Sequence, residues 1–258
     1  MLKFDEHTAR LLDDAYQGAD FSRRRRMSFD AVDPRPGERI LDVGCGPGLL
    51  SQDLARAVGE DGHIFGLDPS DHMLNSARQR CGARANVTLL QGSAETLPIE
   101  DCSIDKAVSL QVFEYFDDMH PALSELHRVL RPDGRVVISD MHFDTLVWHS
   151  DQPERMARMI RIWDGHLAER RVPEILPSAL RNAGFRMETV IPYNNCDIDL
   201  RPDGLAQMMI RLMVGYATST GEMTPDESGA WAQEQAELAR DRRFWFSLSH
   251  FITVARRQ

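Results

Sequence analysis

The sequence predicts an α/β fold: a seven-stranded, mostly parallel sheet with helices on both faces, a helical N-terminal arm, and a helical insertion before the last strand. Three observations lead there. Apolar strand-like runs alternate with helical patterns through the middle of the chain, which is how βαβ units read. The turn "DVGCGPG" joins the first strand to the first core helix. The 258 residues, 42% hydrophobic and 27% charged, suffice to bury one large core with additions.

Taken in order, Arg39 to Cys45 reads as the first strand, Leu49 to Val58 as a helix and His63 to Asp68 as the second strand. Ser70 to Cys81 opens on a Ser/Asp cap and carries Met73, Leu74 and Ala77 at helical spacing. Val87 to Gln91 and Ile104 to Leu110 are the third and fourth strands, Pro121 to Leu130 a helix, and Arg135 to Asp140 the fifth strand after the "RPDGR" turn. "PSALRNAGF" is a helix with Gly184 past its end, Met187 to Pro192 the sixth strand, and "FWFSLSHFITVAR" the last. The expected division is a helical arm over 1–33, a core over 34–195 and 244–258, and a helical cap over 196–243.

A net charge of −10 disfavours a nucleic-acid or anionic-membrane footprint. No apolar run approaches the ~20 residues of a membrane helix. The N-terminal stretch lacks a leader-like pattern, so a cytoplasmic monomer or homodimer is expected. Arg23 to Arg26 form a basic run whose four side chains splay around a helix, which reads as solvated surface, with one of the four in reach of a ligand carboxylate. Lys3 and Lys106 are the only lysines. Cys45, Cys81, Cys102 and Cys196 show no C-x-x-C spacing, so neither disulfides nor a metal site is expected.

The glycine turn carries the functional question. A dinucleotide site expects G-x-G-x-x-G over a pyrophosphate. Here Gly44, Gly46 and Gly48 give G-x-G-x-G, with Pro47 in the turn. Asp42 precedes them near the end of an apolar strand, where a carboxylate is costly unless paired. It would repel a pyrophosphate and suit a ligand carrying an ammonium or sulfonium group. A nicotinamide-dependent oxidoreductase is therefore disfavoured.

"ILDVGCGPG" resembles the first motif of the Rossmann-like S-adenosylmethionine (SAM)-dependent methyltransferases. "GLDPS", "GSAETLPI" and "LHRVLRPDGRVVISD" follow in the order and spacing of that family, with Asp68 standing 24 residues after Gly44. The closest likeness, carried also by "DMHFDTLVWHS" and "LPSALRNAGF", is to the ubiquinone/menaquinone methyltransferase-like small-molecule branch. The resemblance implies an antiparallel last strand and SAM as cofactor. It places Gly44, Cys45 and Gly46 along the methionine part, Asp68 under the ribose hydroxyls, Pro69 and Met73 beside the adenine, Ser93 and Ala94 at the adenine edge, and Leu110 and Gln111 facing the methionine. Tyr16 and Asp42 join the cofactor-side candidates. The family often has Asp where Ser93 stands; serine accepts without charge assistance.

Candidate catalytic residues follow the fourth and fifth strands, because open α/β sheets bind ligands at the carboxyl ends of their strands. They are Tyr115, Asp140 and His142, with His142 the best-placed base; a structural loop role fits that histidine equally. Leu205, Met208, Met209, Leu212, Met213 and Tyr216 form one apolar stripe that lines an acceptor pocket, packs the cap on the sheet or makes a dimer contact. The expected function is methyl transfer to a small apolar or aromatic metabolite, at O, N or C. The alternative is a non-catalytic SAM-binding regulatory or scaffold protein.

Overall fold

The computed structural model describes residues 12, 13, 15–82 and 84–258. The part of the predicted arm over residues 1–11 lies outside them. The helices are α1 (Ala19–Val32), α2 (Leu49–Val58), α3 (Asp71–Cys81), α4 (His120–Val129), α5 (Pro153–Asp164), α6 (Val172–Asn182), α7 (Leu205–Ser219) and α8 (Pro225–Arg240). The strands are β1 (Arg39–Val43), β2 (His63–Asp68), β3 (Val87–Gln91), β4 (Ile104–Leu110), β5 (Leu130–Met141), β6 (Val147–Trp148), β7 (Phe185–Asp197) and β8 (Phe246–Arg257).

β3, β2, β1, β4 and β5 run parallel in that spatial order. β8 then runs antiparallel beside β5, and β7 follows β8 along its whole length. The sheet has eight strands, one more than the sequence suggests. The extra one is β6, whose Val147 and Trp148 pair with Ser247 and Phe246 beyond the end of β5. A two-residue strand has no periodicity to detect; its partner across the sheet creates it.

Each face of the sheet is covered because each presents an apolar stripe to helices that carry one. On one side Val32 of α1 and Leu54 and Val58 of α2 pack on Ile40, Ile64 and Val108. On the other, Leu123 and Leu126 of α4 and Leu176 and Leu180 of α6 pack on Leu41, Val136 and Phe185. α6 starts earlier than its sequence pattern, with Pro173 in its first turn and Pro177 inside. A third cluster joins α5, α7 and α8 through Met159, Trp163, Met213 and Trp231, and reaches β8 at Phe246. α5 therefore packs with the cap helices although it precedes them by about 40 residues of chain.

The strand order reverses between β1 and β4, and the loops leaving these strands diverge there. This is the crevice in which open α/β sheets bind ligands.

Candidate active site

The loop after β1 has its shape imposed from both sides. Gly44 has φ +67°, and a Cβ there would fall 2.2 Å from Cγ2 of Val112, on the loop after β4. Only glycine lets the two loops approach so closely. Gly48, also at positive φ, caps α2, and its missing Cβ leaves room for Ala77 of α3.

Two buried carboxyls hold this loop. Asp68, at the end of β2, accepts the Gly46 N–H at 2.9 Å and the Ser70 N–H at 2.8 Å. Asp42 accepts the Ser51 hydroxyl at 2.5 Å. Burial raises the proton affinity of both, and takes Asp42 to about 7 despite its hydrogen bond. Burial likewise pushes the Cys45 thiol up, so Cys45 is a wall rather than a thiolate.

These residues line a cavity with about 990 Å³ of empty space that brings together Tyr16, Asp42, Gly44, Cys45, Gly46, Asp68, Pro69, Met73, Leu110, Gln111 and Tyr115. Ser93, Ala94, Asp140 and His142 are not among its lining residues. Ala94 is buried in the core below, whereas Ser93 is exposed and bonded to Glu95. Asp140 lies fully buried on β5. His142 faces Glu174 of α6 at 3.5 Å, and lines neither this cavity nor the next.

The basic run does not behave as a solvated surface throughout. Arg26 pairs with Asp30 in solvent, and Arg23 lies over the Tyr193 ring. Arg24, however, is 7% exposed, donates to Oε1 of Gln111 and lines the cavity. Arg25 lines it too and donates to the Tyr16 carbonyl at 3.0 Å. Arg24 turns inward because α1 packs on β4 and β5, and the arginine on its inward face goes with it.

Around Arg24 a polar cluster is sealed from water. Glu114, on the 3₁₀ turn Phe113–Tyr115, is 2% exposed. Its carboxyl is hydrogen-bonded by the Tyr115 hydroxyl and the Gln111 side chain, while Oε2 has no partner of its own. Burial lifts Glu114 to about 7 against the pull of Arg24. Asp140 is also raised, by burial and then by Glu114, and the hydroxyl of Tyr16 is raised to about 12 by burial. Neither Arg24 nor Glu114 stands out by motif. The readable trace of Glu114 is an acid inside the apolar run "VFEYF", a position that carries a desolvation cost without a visible partner.

A second, smaller cavity with about 440 Å³ of empty space lies under the cap. It shares Tyr16, Gln111, Glu114 and Tyr115 with the first; the rest of its wall is Leu12, Met141, Phe143, Trp163, His166, Leu205, Met208, Met209 and Leu212. His166 is buried, engages the Trp163 carbonyl through Nδ1 and stacks on the Trp163 ring with centroids 3.7 Å apart. Burial lowers it to about 4, so it is a neutral imidazole at physiological pH. Among the described residues there is no cluster able to hold a metal ion, and no helix is long and apolar enough to cross a membrane.

A deep cleft at the strand-order reversal, glycine-walled and rich in buried carboxyls, defines a Rossmann-like cofactor-binding domain suited to a cationic ligand. Comparison with known proteins agrees: residues 41–138 match the family described as "Methyltransferase domain". That match covers 98 of the 258 residues and makes this stretch similar to a methyltransferase domain. It is 37% identical over 176 residues to a protein of transposon TN4556 from Streptomyces fradiae, covering 66% of this chain and 50% of that one. It is 36% identical over 125 residues to a demethylmenaquinone methyltransferase of Desulfitobacterium hafniense, covering 47% and 49%. The chain thus spans about half the length of these curated relatives. The YcgJ protein of Bacillus subtilis shares the fold, with a TM-score of 0.64 at 17% identity over 92% of this chain and 99% of that one.

The residues present fit SAM as the cofactor. Three buried carboxyls, Asp42, Asp68 and Glu114, face one cavity whose lining includes two arginines and no lysine. Such a wall favours a ligand that brings positive charge.

Proposed function

We propose that the chain transfers a methyl group from SAM to a small apolar or aromatic acceptor held in the cavity under the cap. One observation carries this reading: the carboxyl-rich cavity and the apolar cavity share Tyr16, Gln111, Glu114 and Tyr115. Residues common to both cavities set a donor and an acceptor side by side, and proximity then supplies much of the rate. When bound, SAM supplies an electrophilic methyl on a sulfonium. Asp68 holds the ribose, Gly44, Cys45 and Gly46 flank the methionine part, and Pro69 and Met73 lie against the adenine. The methionines and leucines of α7, with Trp163, adapt to a flat apolar acceptor.

The name of the Desulfitobacterium relative favours a quinol-like acceptor for this chain as well. The first test is calorimetry with SAM and S-adenosylhomocysteine. Heat of binding to both is expected, and no heat with either sinks the reading. A cofactor-consumption screen across hydroquinones, phenols and amines then separates an enzyme from a scaffold. Turnover with an aromatic hydroxylated compound is expected, and binding without consumption across the whole panel returns the scaffold alternative.

A further inference from the structure

The wall shared by the two cavities contains a carboxyl that neither a cofactor contact nor core packing requires. Groups that carry or can carry charge stand around Glu114. Arg24 reaches it from α1, Tyr16 from the segment before α1, Asp140 from β5, Tyr115 from the same turn, and His166 from across the acceptor cavity. His166 is neutral and both tyrosines keep their protons. Within this cluster the charge reduces to the Arg24 guanidinium and the carboxyls of Glu114 and Asp140, with Asp42 and Asp68 on the wall of the first cavity. A sealed cluster of that composition is near neutral when one carboxyl is ionised and the other holds a proton. A second cation entering the adjoining cavity makes room for a second carboxylate.

Resting on the reading of the first cavity as the SAM site, we propose that Glu114 is the proton acceptor of the transfer, and that it gives up its own proton to solvent only when the cationic cofactor binds. Oε2 of Glu114 is buried, unpartnered and part of the wall between the cavities, as a group that must take a proton from the acceptor should be. The step balances. The acceptor's X–H bond breaks and its proton passes to Glu114 Oε2. The electron pair left on X forms the X–CH₃ bond, while the pair of the broken S–CH₃ bond stays on sulfur. Afterwards the cluster again holds one guanidinium, one carboxylate and one protonated carboxyl, the state it had before the cofactor entered.

S-adenosylhomocysteine lacks the sulfonium charge but shares every other group, so the difference between the two ligands isolates the effect. Calorimetric titrations of the full chain at pH 6, in two buffers of different ionisation enthalpy, count the protons exchanged. SAM is expected to release more than half a proton beyond S-adenosylhomocysteine, and Glu114→Gln to reduce that excess to near zero while still binding S-adenosylhomocysteine. No excess in the wild type, or an excess unchanged in Glu114→Gln, overturns the proposal. If the variant does not fold, infrared difference spectra of the wild type decide: a protonated-carboxyl band lost with SAM and kept with S-adenosylhomocysteine supports it, and equal spectra overturn it. If neither ligand binds, the cofactor reading itself has failed and this proposal falls with it.

Discussion

The cofactor-side cavity draws its floor from residues 42 to 73, on turns that follow one another along the chain, whereas the cavity under the cap collects its wall from α7, the 3₁₀ turn after β5, the end of α5 and the segment before α1. The first carries buried carboxyls, and its geometry is set by hydrogen bonds such as Asp68 to Gly46 and Asp42 to Ser51. The second is apolar, and its geometry is set by packing. One half of the site is therefore specified by short-range chemistry that few sequences satisfy, and the other by side-chain volume that many sequences satisfy. Precise cofactor recognition and a permissive acceptor site follow from that division.

The contrast between the two halves is sharpest in the cap. Trp231 is fully buried against Trp148, with ring centroids 5.5 Å apart and edge-on geometry. Trp231→Ala is expected to cost about 3–5 kcal/mol of stability, because the cavity left behind cannot close around so large a side chain. Thermal unfolding should show the loss. S-adenosylhomocysteine affinity of the folded fraction should change little, and a parallel collapse of cofactor affinity would show that the two halves are not separately built.

Asp42 tests the polar half through pH. Its carboxyl titrates near 7 in the folded protein and near 3.8 when exposed. The native state thus binds a proton between those values that the unfolded state does not, and stability falls as pH rises through that window. Below about 4 both states are protonated and the group contributes nothing. Above 7 the full penalty applies, on the order of 4 kcal/mol at about 1.4 kcal/mol per unit. Asp42→Asn should remove that slope, gaining stability at pH 8 and almost none at pH 4 in denaturant titrations. A variant equally affected at both pH values would contradict burial as the cause.

Asp68→Ala sharpens the same half with a somewhat smaller effect. It removes the acceptor of two backbone N–H groups as well as the proposed ribose partner, and a charged hydrogen bond is worth about 1.5–3 kcal/mol. SAM and S-adenosylhomocysteine should both bind about 100-fold more weakly by calorimetry. An unchanged affinity would reduce Asp68 to a loop tether.

What the sequence reveals follows the same divide. The β1 turn, Asp42 and Asp68 are legible because the residues that make the geometry are neighbours along the chain. Arg24 and Glu114 are not, because their burial depends on α1 docking across β4 and β5, which no local pattern reports. The alternation of charge and apolar residues around Arg23 to Arg26 is that of a solvated helix, and only the docked sheet turns one of them inward. His142 illustrates the converse. Its place after the fifth strand suits a base, yet the side chain turns toward Glu174 on α6, while His166, more than twenty residues on, lines the acceptor cavity.

The smallest expected effect tests whether the cap also depends on any short-range chemistry. Thr224 caps α8 through a reciprocal box: its hydroxyl accepts the Glu227 N–H at 3.2 Å, and the Glu227 carboxylate accepts the Thr224 N–H at 2.8 Å. Glu227 also meets Arg158 of α5 at 3.0 Å, so the box sits where α8 meets α5. Thr224→Ala removes one half of the box and should cost about 1 kcal/mol. Glu227 is held below its usual range by the Thr224 N–H and then by Arg158, so its share is present above the unfolded carboxylate pKa and is lost as pH falls through the folded one. The Thr224→Ala deficit in urea midpoint should accordingly shrink at acid pH. A deficit as large as that of Trp231→Ala would mean that the cap, like the floor beneath it, is set by a few local bonds rather than by packing.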